Sequence, residues 1–138
     1  MTDAGLSEPV RRFLAAPRRY ATIATLNADG APHQAVVWYL LRGDDIVVNS
    51  RVGRRWPANL RRDPRVAFAV EEGEDAVTIN GQAEVLATGE HAQADIAEMA
   101  WRYDAPELAQ REIARFRTED RISFILQPRH VHVHGDPG

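Results

Sequence analysis

The sequence contains no cysteine and no lysine, and it has no run of about 18 consecutive apolar residues. Without cysteine there is no disulfide framework and no thiolate zinc site. Without a long apolar run, or the apolar leader of a secreted protein near residue 1, we expect a cytoplasmic protein that spans no membrane. The length suits a single domain, residues 1–138, and a hydrophobic fraction of 44% allows a buried core.

Charge is unevenly distributed along the chain. All 17 basic residues are arginines, and residues 1–65 carry 11 of them against 6 acidic residues, a net charge of +5. Residues 66–138 carry 6 arginines and 14 acidic residues, a net charge of −8, which gives −3 for the whole chain. A general nucleic-acid-binding domain is usually basic overall. A local basic site on an acidic protein favours a small anionic ligand instead, and we expect no nucleic-acid partner.

Hydrophobic alternation and turn residues predict a mainly β protein with flanking helices. Strands are predicted at 20–26, 33–42, 46–50, 65–72, 76–87, 121–128 and 129–135. Helices are predicted at 7–16, 54–62, 90–103 and 105–118. Gly30 suits a hairpin turn, and Gly81 inside a strand indicates a bulge or a close backbone approach. Hairpin-linked strands of this kind predict an α+β fold whose antiparallel sheet closes into a small barrel.

Arginines cluster around the short helix predicted at 54–62, which follows a strand directly. Pro57 suits the first turn of this helix. Free backbone N–H groups and the helix macrodipole attract anions to such a helix start. Arg54 and Arg55 add guanidinium groups that match phosphate oxygens. The preceding strand adds two polar side chains, Asn49 and Ser50. The segment predicts a phosphate or carboxylate site, and the alternative is an arginine-rich surface helix without a ligand.

Four segments carry the pattern of a known family. They are ATIATLNADGAPHQAVVWY (21–39), NLRRDPRVAFAV (59–70), GQAEVL (81–86) and RISFILQPRHVHVHG (121–135). Through them the chain resembles the pyridoxamine-phosphate-oxidase-like split β-barrel family, and most of all its branch of F420- and FMN-dependent oxidoreductases. The resemblance implies a six-stranded antiparallel split barrel that forms a homodimer with cofactor at the interface. It also implies hydride transfer between F420, or alternatively FMN, and a small conjugated organic substrate.

The resemblance further implies a set of cofactor-binding residues. They are His33, Ala35, Val36, Val37, Trp38, Asn49, Ser50, Arg51, Arg54, Arg55, Trp56 and Asn59. Arg54 is expected to contact the cofactor phosphate, and the second predicted strand is expected to lie along the ring system. Deazaflavin-binding relatives often have lysine where this chain has Trp56, and Arg51 or Arg55 could supply the missing charge. Trp56 could stack on a ring or pack beneath the helix, so F420 and FMN both stay open.

The sequence has no catalytic triad or nucleophile motif, which suits an enzyme whose redox chemistry belongs to its cofactor. Catalytic residues stay unassigned, and His33 and Tyr39 are the candidates for donating a proton. His130, His132 and His134 alternate along a strand, the pattern of a solvent-facing stripe, and we expect no metal site. The stripe leaves a haem-binding protein open as an alternative, and a carrier that binds the cofactor without catalysis is another.

Overall fold

The computed structural model describes residues 5–136, in which helices flank one antiparallel sheet. The helices are α1 (Glu8–Ala15), α2 (Arg55–Arg62), α3 (Gly89–Tyr103) and α4 (Pro106–Phe116). The strands are β1 (Ala21–Leu26), β2 (Pro32–Val37), β3 (Leu40–Arg42), β4 (Asp45–Arg51), β5 (Arg65–Glu72), β6 (Asp75–Thr88) and β7 (Arg121–His134). No helix within residues 5–136 has the length and apolar character needed to cross a membrane.

The expected mainly β, α+β architecture is confirmed, but the expected six-stranded closed barrel is not. Across the described residues the sheet has seven strands in the order β2-β1-β5-β6-β7-β4-β3, with β2 and β3 at its edges. The strand predicted at 33–42 is divided into these two edge strands, because the rings of Trp38 and Tyr39 between them pack into the protein interior. The fully buried hydroxyl of Tyr39 donates to the carbonyl of Leu14 at 2.7 Å. Trp38 stacks on Tyr103 with ring centroids 5.0 Å apart.

The strands predicted at 121–128 and 129–135 form the single strand β7. Pro128 interrupts neither the strand nor its pairing, because it lies opposite Gly81 at a shift in the β6–β7 register. A Cβ atom at Gly81 would clash with the carbonyl oxygen of Gln127. The close backbone approach predicted at this glycine is therefore confirmed, and it lets two 14-residue strands stay paired past the irregularity.

Two apolar clusters hold the sheet and the helices together. The larger cluster takes residues from α1, α2 and six strands, including Val37 of β2 and Val48 of β4, so the sheet curls around it. The smaller cluster joins Leu40 and Val47 to Met99 of α3 and Phe116 of α4. Full burial of a Val, Leu, Met or Phe side chain stabilises the folded state by about 1.5–3 kcal/mol. The α3–α4 pair is thus an integral wall of the fold beside the sheet.

Candidate functional site

A cavity of about 240 Å³ opens where β2, β4, the start of α2 and the end of α4 meet. Its polar lining consists of Asn49, Ser50, Arg54, Glu112, Arg115, Glu119 and Arg121. Its apolar lining consists of Val36, Val37, Trp38, Trp56, Ile96 and Phe116. Charged groups and a flat apolar surface therefore share one small space, an arrangement that suits a ligand with an anionic part and a ring.

The backbone between β4 and α2 explains how the polar wall is built. Gly53 has a φ of +104°, a conformation that glycine adopts readily, and it turns the chain from the strand into the helix. Arg54 is the N-cap of α2 and makes no side-chain cap hydrogen bond. The first turn of the helix thus keeps backbone donors for another acceptor. Pairing of Ser50 with Ile122 and of Arg51 with Arg121 brings the start of β7 to the same edge.

Ion pairs already occupy two of the three arginines in the cavity wall. Arg115 lies 2.8 Å from Glu112 and 3.6 Å from Glu119, measured between guanidinium nitrogen and carboxylate oxygen. Arg121 lies 2.7 Å from Glu119. Within residues 5–136 no ion pair includes Arg54. Arg54 is exposed, so it is an accessible cation of this wall without a carboxylate partner in the described residues.

Arg121 is a buried cation at the base of the cavity. Its side chain is 9% exposed, its Nε donates to Asn49 Oδ1 at 2.9 Å, and its guanidinium lies 4.6 Å from the ring centre of Phe116. Burial lowers the pKa of Arg121, Glu119 opposes this, and the like charges of Arg54 and Arg115 lower it further. Desolvated cations crowded in this way favour an added anion.

Seven residues of the predicted cofactor-binding set line this cavity. They are Val36, Val37, Trp38, Asn49, Ser50, Arg54 and Trp56. Their contact with a cofactor stays a prediction, but the fold does bring them together. Trp56 is only 4% exposed, and its ring centre lies 5.9 Å from that of Phe124, so it packs beneath α2 while it reaches the lining.

The other members of the set, His33, Ala35, Arg51, Arg55 and Asn59, lie outside the lining. Asn59 is buried, and its Nδ2 donates to Thr25 Oγ1 and to Asn27 Oδ1, each at 3.0 Å. Its Oδ1 accepts from Arg62 at 3.0 Å. Both amide hydrogens fasten α2 to the end of β1. The expected hydrogen bond of Asn59 near the cofactor stays a prediction.

The candidate proton donors do not meet at the cavity either. His33 does not line it, and the Tyr39 hydroxyl is occupied by the Leu14 carbonyl. Burial raises the pKa of Tyr39 well above its ordinary value. The exposed stripe of His130, His132 and His134 lies on β7 and outside the lining. Residues 5–136 hold no group of three or more metal-ligating side chains arranged for an ion.

Sequence reasoning missed the half of the site that comes from α4 and β7. These residues are Glu112, Arg115 and Phe116 of α4, Glu119 of the loop after it and Arg121 of β7, and Ile96 of α3 was missed as well. They follow the basic segment by about half the chain, and nothing local marks them as partners of α2. The signal that could have found them is the β4–β7 register, because it places Arg121 directly beside Arg51.

Comparison with known proteins adds to this geometry. A family model described as pyridoxamine 5'-phosphate oxidase matches residues 6–126. A conserved hypothetical protein of Mycobacterium tuberculosis superposes with a TM-score of 0.77 at 25% identity, over 99% of this chain and 89% of that chain. No curated protein sequence gives a significant match.

Two further solved structures share the fold at lower identity. A structure named F420 reductase superposes with a TM-score of 0.72 at 20% identity, over 92% of this chain and 98% of that chain. The haem storage protein HutZ from Vibrio cholerae superposes with a TM-score of 0.72 at 22% identity, over 96% of this chain and 97% of that chain. One fold therefore accompanies different bound groups in these proteins.

Proposed function

Because the chain belongs to the pyridoxamine 5'-phosphate oxidase family, we propose that it is an oxidoreductase that uses the deazaflavin F420, with FMN as the alternative cofactor. The proposed reaction is hydride transfer between the cofactor and a small conjugated organic substrate. The observation that carries the proposal is the arginine wall of the cavity, in which Arg54 has no acidic partner within residues 5–136.

The side chains present fit a phosphate-bearing ring cofactor. Arg54, Arg121 and the Ser50 hydroxyl can donate to phosphate oxygens, together with the free N–H groups at the start of α2. Val36, Val37 and Trp38 offer an apolar surface to a flat ring. A bound flavin or deazaflavin would supply the hydride chemistry itself.

The protein would contribute anchoring and orientation. Arg54 and Arg121 hold the anionic end away from the reacting centre, which turns a bimolecular encounter into a positioned one. Trp38 is itself fixed, because it stacks on Tyr103 at an angle of 6° and meets the edge of Phe116 at 6.4 Å. A rigid wall of this kind excludes water from one side of a ring and leaves the open side to substrate and to a proton from solvent.

We also propose that two copies of the chain complete the site. The cavity of 240 Å³ is below the range of about 300–1,000 Å³ that ligand sites span. Val36 lies beside it on the edge strand β2 and is 71% exposed. A second copy that covered this valine would enlarge the enclosed space and cover the apolar edge.

Titration of the purified protein with F420, FMN, riboflavin and haem tests the proposal. We expect F420 or FMN to bind, and riboflavin, which lacks the phosphate, to bind far more weakly. The loaded protein should then oxidise its reduced cofactor with electron-poor acceptors such as quinones or nitroimidazoles. Equal affinity for FMN and riboflavin would show that the phosphate adds nothing to binding, and would refute the proposed phosphate site. Tight binding without turnover would identify a carrier instead of an enzyme.

Haem is the second candidate, because His130, His132 and His134 are exposed on one strand and offer imidazole ligands. The cavity lining itself includes no histidine. A Soret band that shifts in His132→Ala would establish haem binding at the stripe. A Soret band that does not shift in this variant would exclude His132 as the ligand, and the triple variant His130→Ala, His132→Ala and His134→Ala would then test the whole stripe.

A further inference from the structure

A continuous series of hydrogen-bonded, buried polar side chains, here called the relay, leads from the protein surface to the cavity. It runs from Asp95 on α3 through Ser123 on β7 and Asn49 on β4 to Arg121. Their exposed fractions are 6%, 0%, 7% and 8%. At the outer end, Arg42 donates to Asp95 Oδ1 at 2.7 Å. Polar groups are seldom placed so deep unless each one has a partner.

Each hydrogen bond of the relay is short and well defined. The Ser123 hydroxyl donates to Asp95 Oδ2 at 2.7 Å. Asn49 Nδ2 donates to Ser123 Oγ at 2.9 Å and to the Ala92 carbonyl at 3.0 Å. Arg121 Nε donates to Asn49 Oδ1 at 2.9 Å. Three elements of the fold, α3, β4 and β7, are thus connected through these side chains, and Arg42 adds β3 at the outer end.

The relay has a direction that the groups at both of its ends require. An ionised carboxylate can only accept, so the Ser123 hydroxyl must donate to Asp95. The serine oxygen then accepts from Asn49 Nδ2, which leaves Asn49 Oδ1 facing Arg121. At the inner end, Arg121 Nε can only donate and the Ala92 carbonyl can only accept, so both require the same orientation of the Asn49 amide. What Asp95 adds is a hydrogen bond that immobilises the Ser123 hydroxyl, and through it the amide that holds Arg121 Nε.

We propose that Asp95 is a positioning residue for the cofactor site, acting through Ser123 and Asn49 to hold the Arg121 guanidinium in place. The proposal rests on the proposed function, because it assigns Arg121 to the anionic part of the cofactor. Within residues 5–136, Arg121 Nη2 makes no hydrogen bond, so this end of the guanidinium keeps donors for a ligand. A donor that is already immobilised binds without a further loss of side-chain freedom.

The relay can be tested without cofactor by NMR of the Arg121 Nε–H group, assigned by its loss in Arg121→Lys. In the wild-type protein this proton should exchange slowly with solvent. In Asp95→Asn and in Ser123→Ala we expect its exchange to become about tenfold faster or more, because the Asn49 amide loses the immobilised partner of its Nδ2. Unchanged exchange in both folded variants would overturn the relay. If Asp95→Asn does not fold, Ser123→Ala carries the test.

Glu98→Gln is the matched control. Glu98 lies on the same helix and also pairs with Arg42, at 3.0 Å, but it does not contact Ser123. The control removes the same charge and loosens the same arginine as Asp95→Asn. It should leave the Arg121 Nε–H exchange as in the wild-type protein. Equal acceleration in Glu98→Gln and Asp95→Asn would show that surface charge is the cause, and would overturn the assignment of Asp95.

Binding then connects the relay to the cofactor. The affinity ratio of FMN to riboflavin, or of F420 to the deazaflavin alcohol without phosphate, should fall about fivefold in Asp95→Asn and stay constant in Glu98→Gln. A wild-type ratio near one would refute the phosphate site itself, and with it the role of Arg121. A high wild-type ratio that Asp95→Asn leaves unchanged would refute the positioning role alone.

Discussion

The arginines of the cavity differ in whether a carboxylate already pairs with them. Arg54, Arg115 and Arg121 face one cavity, but the last two already have carboxylate partners. An arginine whose charge is compensated attracts an anion less strongly than an unpaired one beside a helix start. The count of arginines in the sequence could not make this distinction, because it depends on Glu112 and Glu119, which are distant from Arg54 in the chain.

Arg54→Ala should lower the affinity for F420 or FMN by more than about tenfold, because it removes a charge-assisted hydrogen bond of about 1.5–3 kcal/mol. Fluorescence titration measures the affinity, and circular dichroism checks that the fold is intact. Arg61→Ala is the matched control, since Arg61 lies on the same helix but lines a separate small hollow with Gly53 and Ile122. Equal losses in both variants would point to the net charge of the helix and not to a site.

Asp63→Asn should reduce the loss of the free energy of unfolding at acid pH. Hydrogen bonds from the Arg65 side chain and backbone N–H lower the pKa of Asp63 from 3.8 to about 2. A carboxylate with a depressed pKa stabilises the fold above its ordinary pKa, and this contribution is lost as the pH falls from about 4 to about 2. Urea unfolding at several pH values should show a shallower fall in this window for Asp63→Asn than for the wild-type protein. An unchanged slope in Asp63→Asn would contradict the contribution of the Asp63–Arg65 pair.

At the scale of elements, local pattern predicted most of the fold. The N-cap at Ser7, which accepts from the Val10 N–H at 3.3 Å, was predictable from the residue type before an apolar face. The turn at Gly30, with a φ of +88°, was predictable because glycine adopts a positive φ readily. The break after β2 was not, because Trp38 and Tyr39 fit a strand locally. Their rings leave the strand pattern only to pack on Tyr103 and beside α1, which is tertiary information.

Met99→Ala should lower the free energy of unfolding by about 2–5 kcal/mol, because Met99 is fully buried between α3 and β4. Trp101 lies two residues away on the same helix and is 49% exposed. Trp101→Ala should therefore change stability by less than about 0.5 kcal/mol. Urea unfolding of both variants measures the difference. Near-equal effects would contradict the view that α3 is a wall of the core.

For the whole molecule, the basic half of the site was predictable and the acidic half was not. Asn49, Ser50 and Arg54 are close in sequence, so strand end and helix start define them together. Glu119 and Arg121 join them only through the β4–β7 register, which pairs residues about seventy positions apart. Sequence pattern fixes local geometry, whereas the pairing of distant strands depends on the sum of many weak contacts.

Val36→Glu should shift the proposed dimer toward monomer and weaken cofactor binding in parallel. The change puts a charge on an apolar, 71% exposed side chain that we expect a second copy to cover. Sedimentation velocity measures the oligomeric state, and titration measures the affinity. Leu108→Glu, a change of the same kind at a 39% exposed position on α4, should alter neither. A wild-type monomer that binds F420 or FMN tightly would refute the shared site.

The position of β7 between β6 and β4 has a consequence for biosynthesis. On the ribosome, β4 and β6 emerge well before the strand that must be inserted between them. Until about residue 126 has left the exit tunnel, β4 can pair only with β3, and its other side presents unpaired backbone groups to chaperones and to other nascent chains. Arg121 arrives on that same late strand, so the pocket can assume its final form only after translation has passed it.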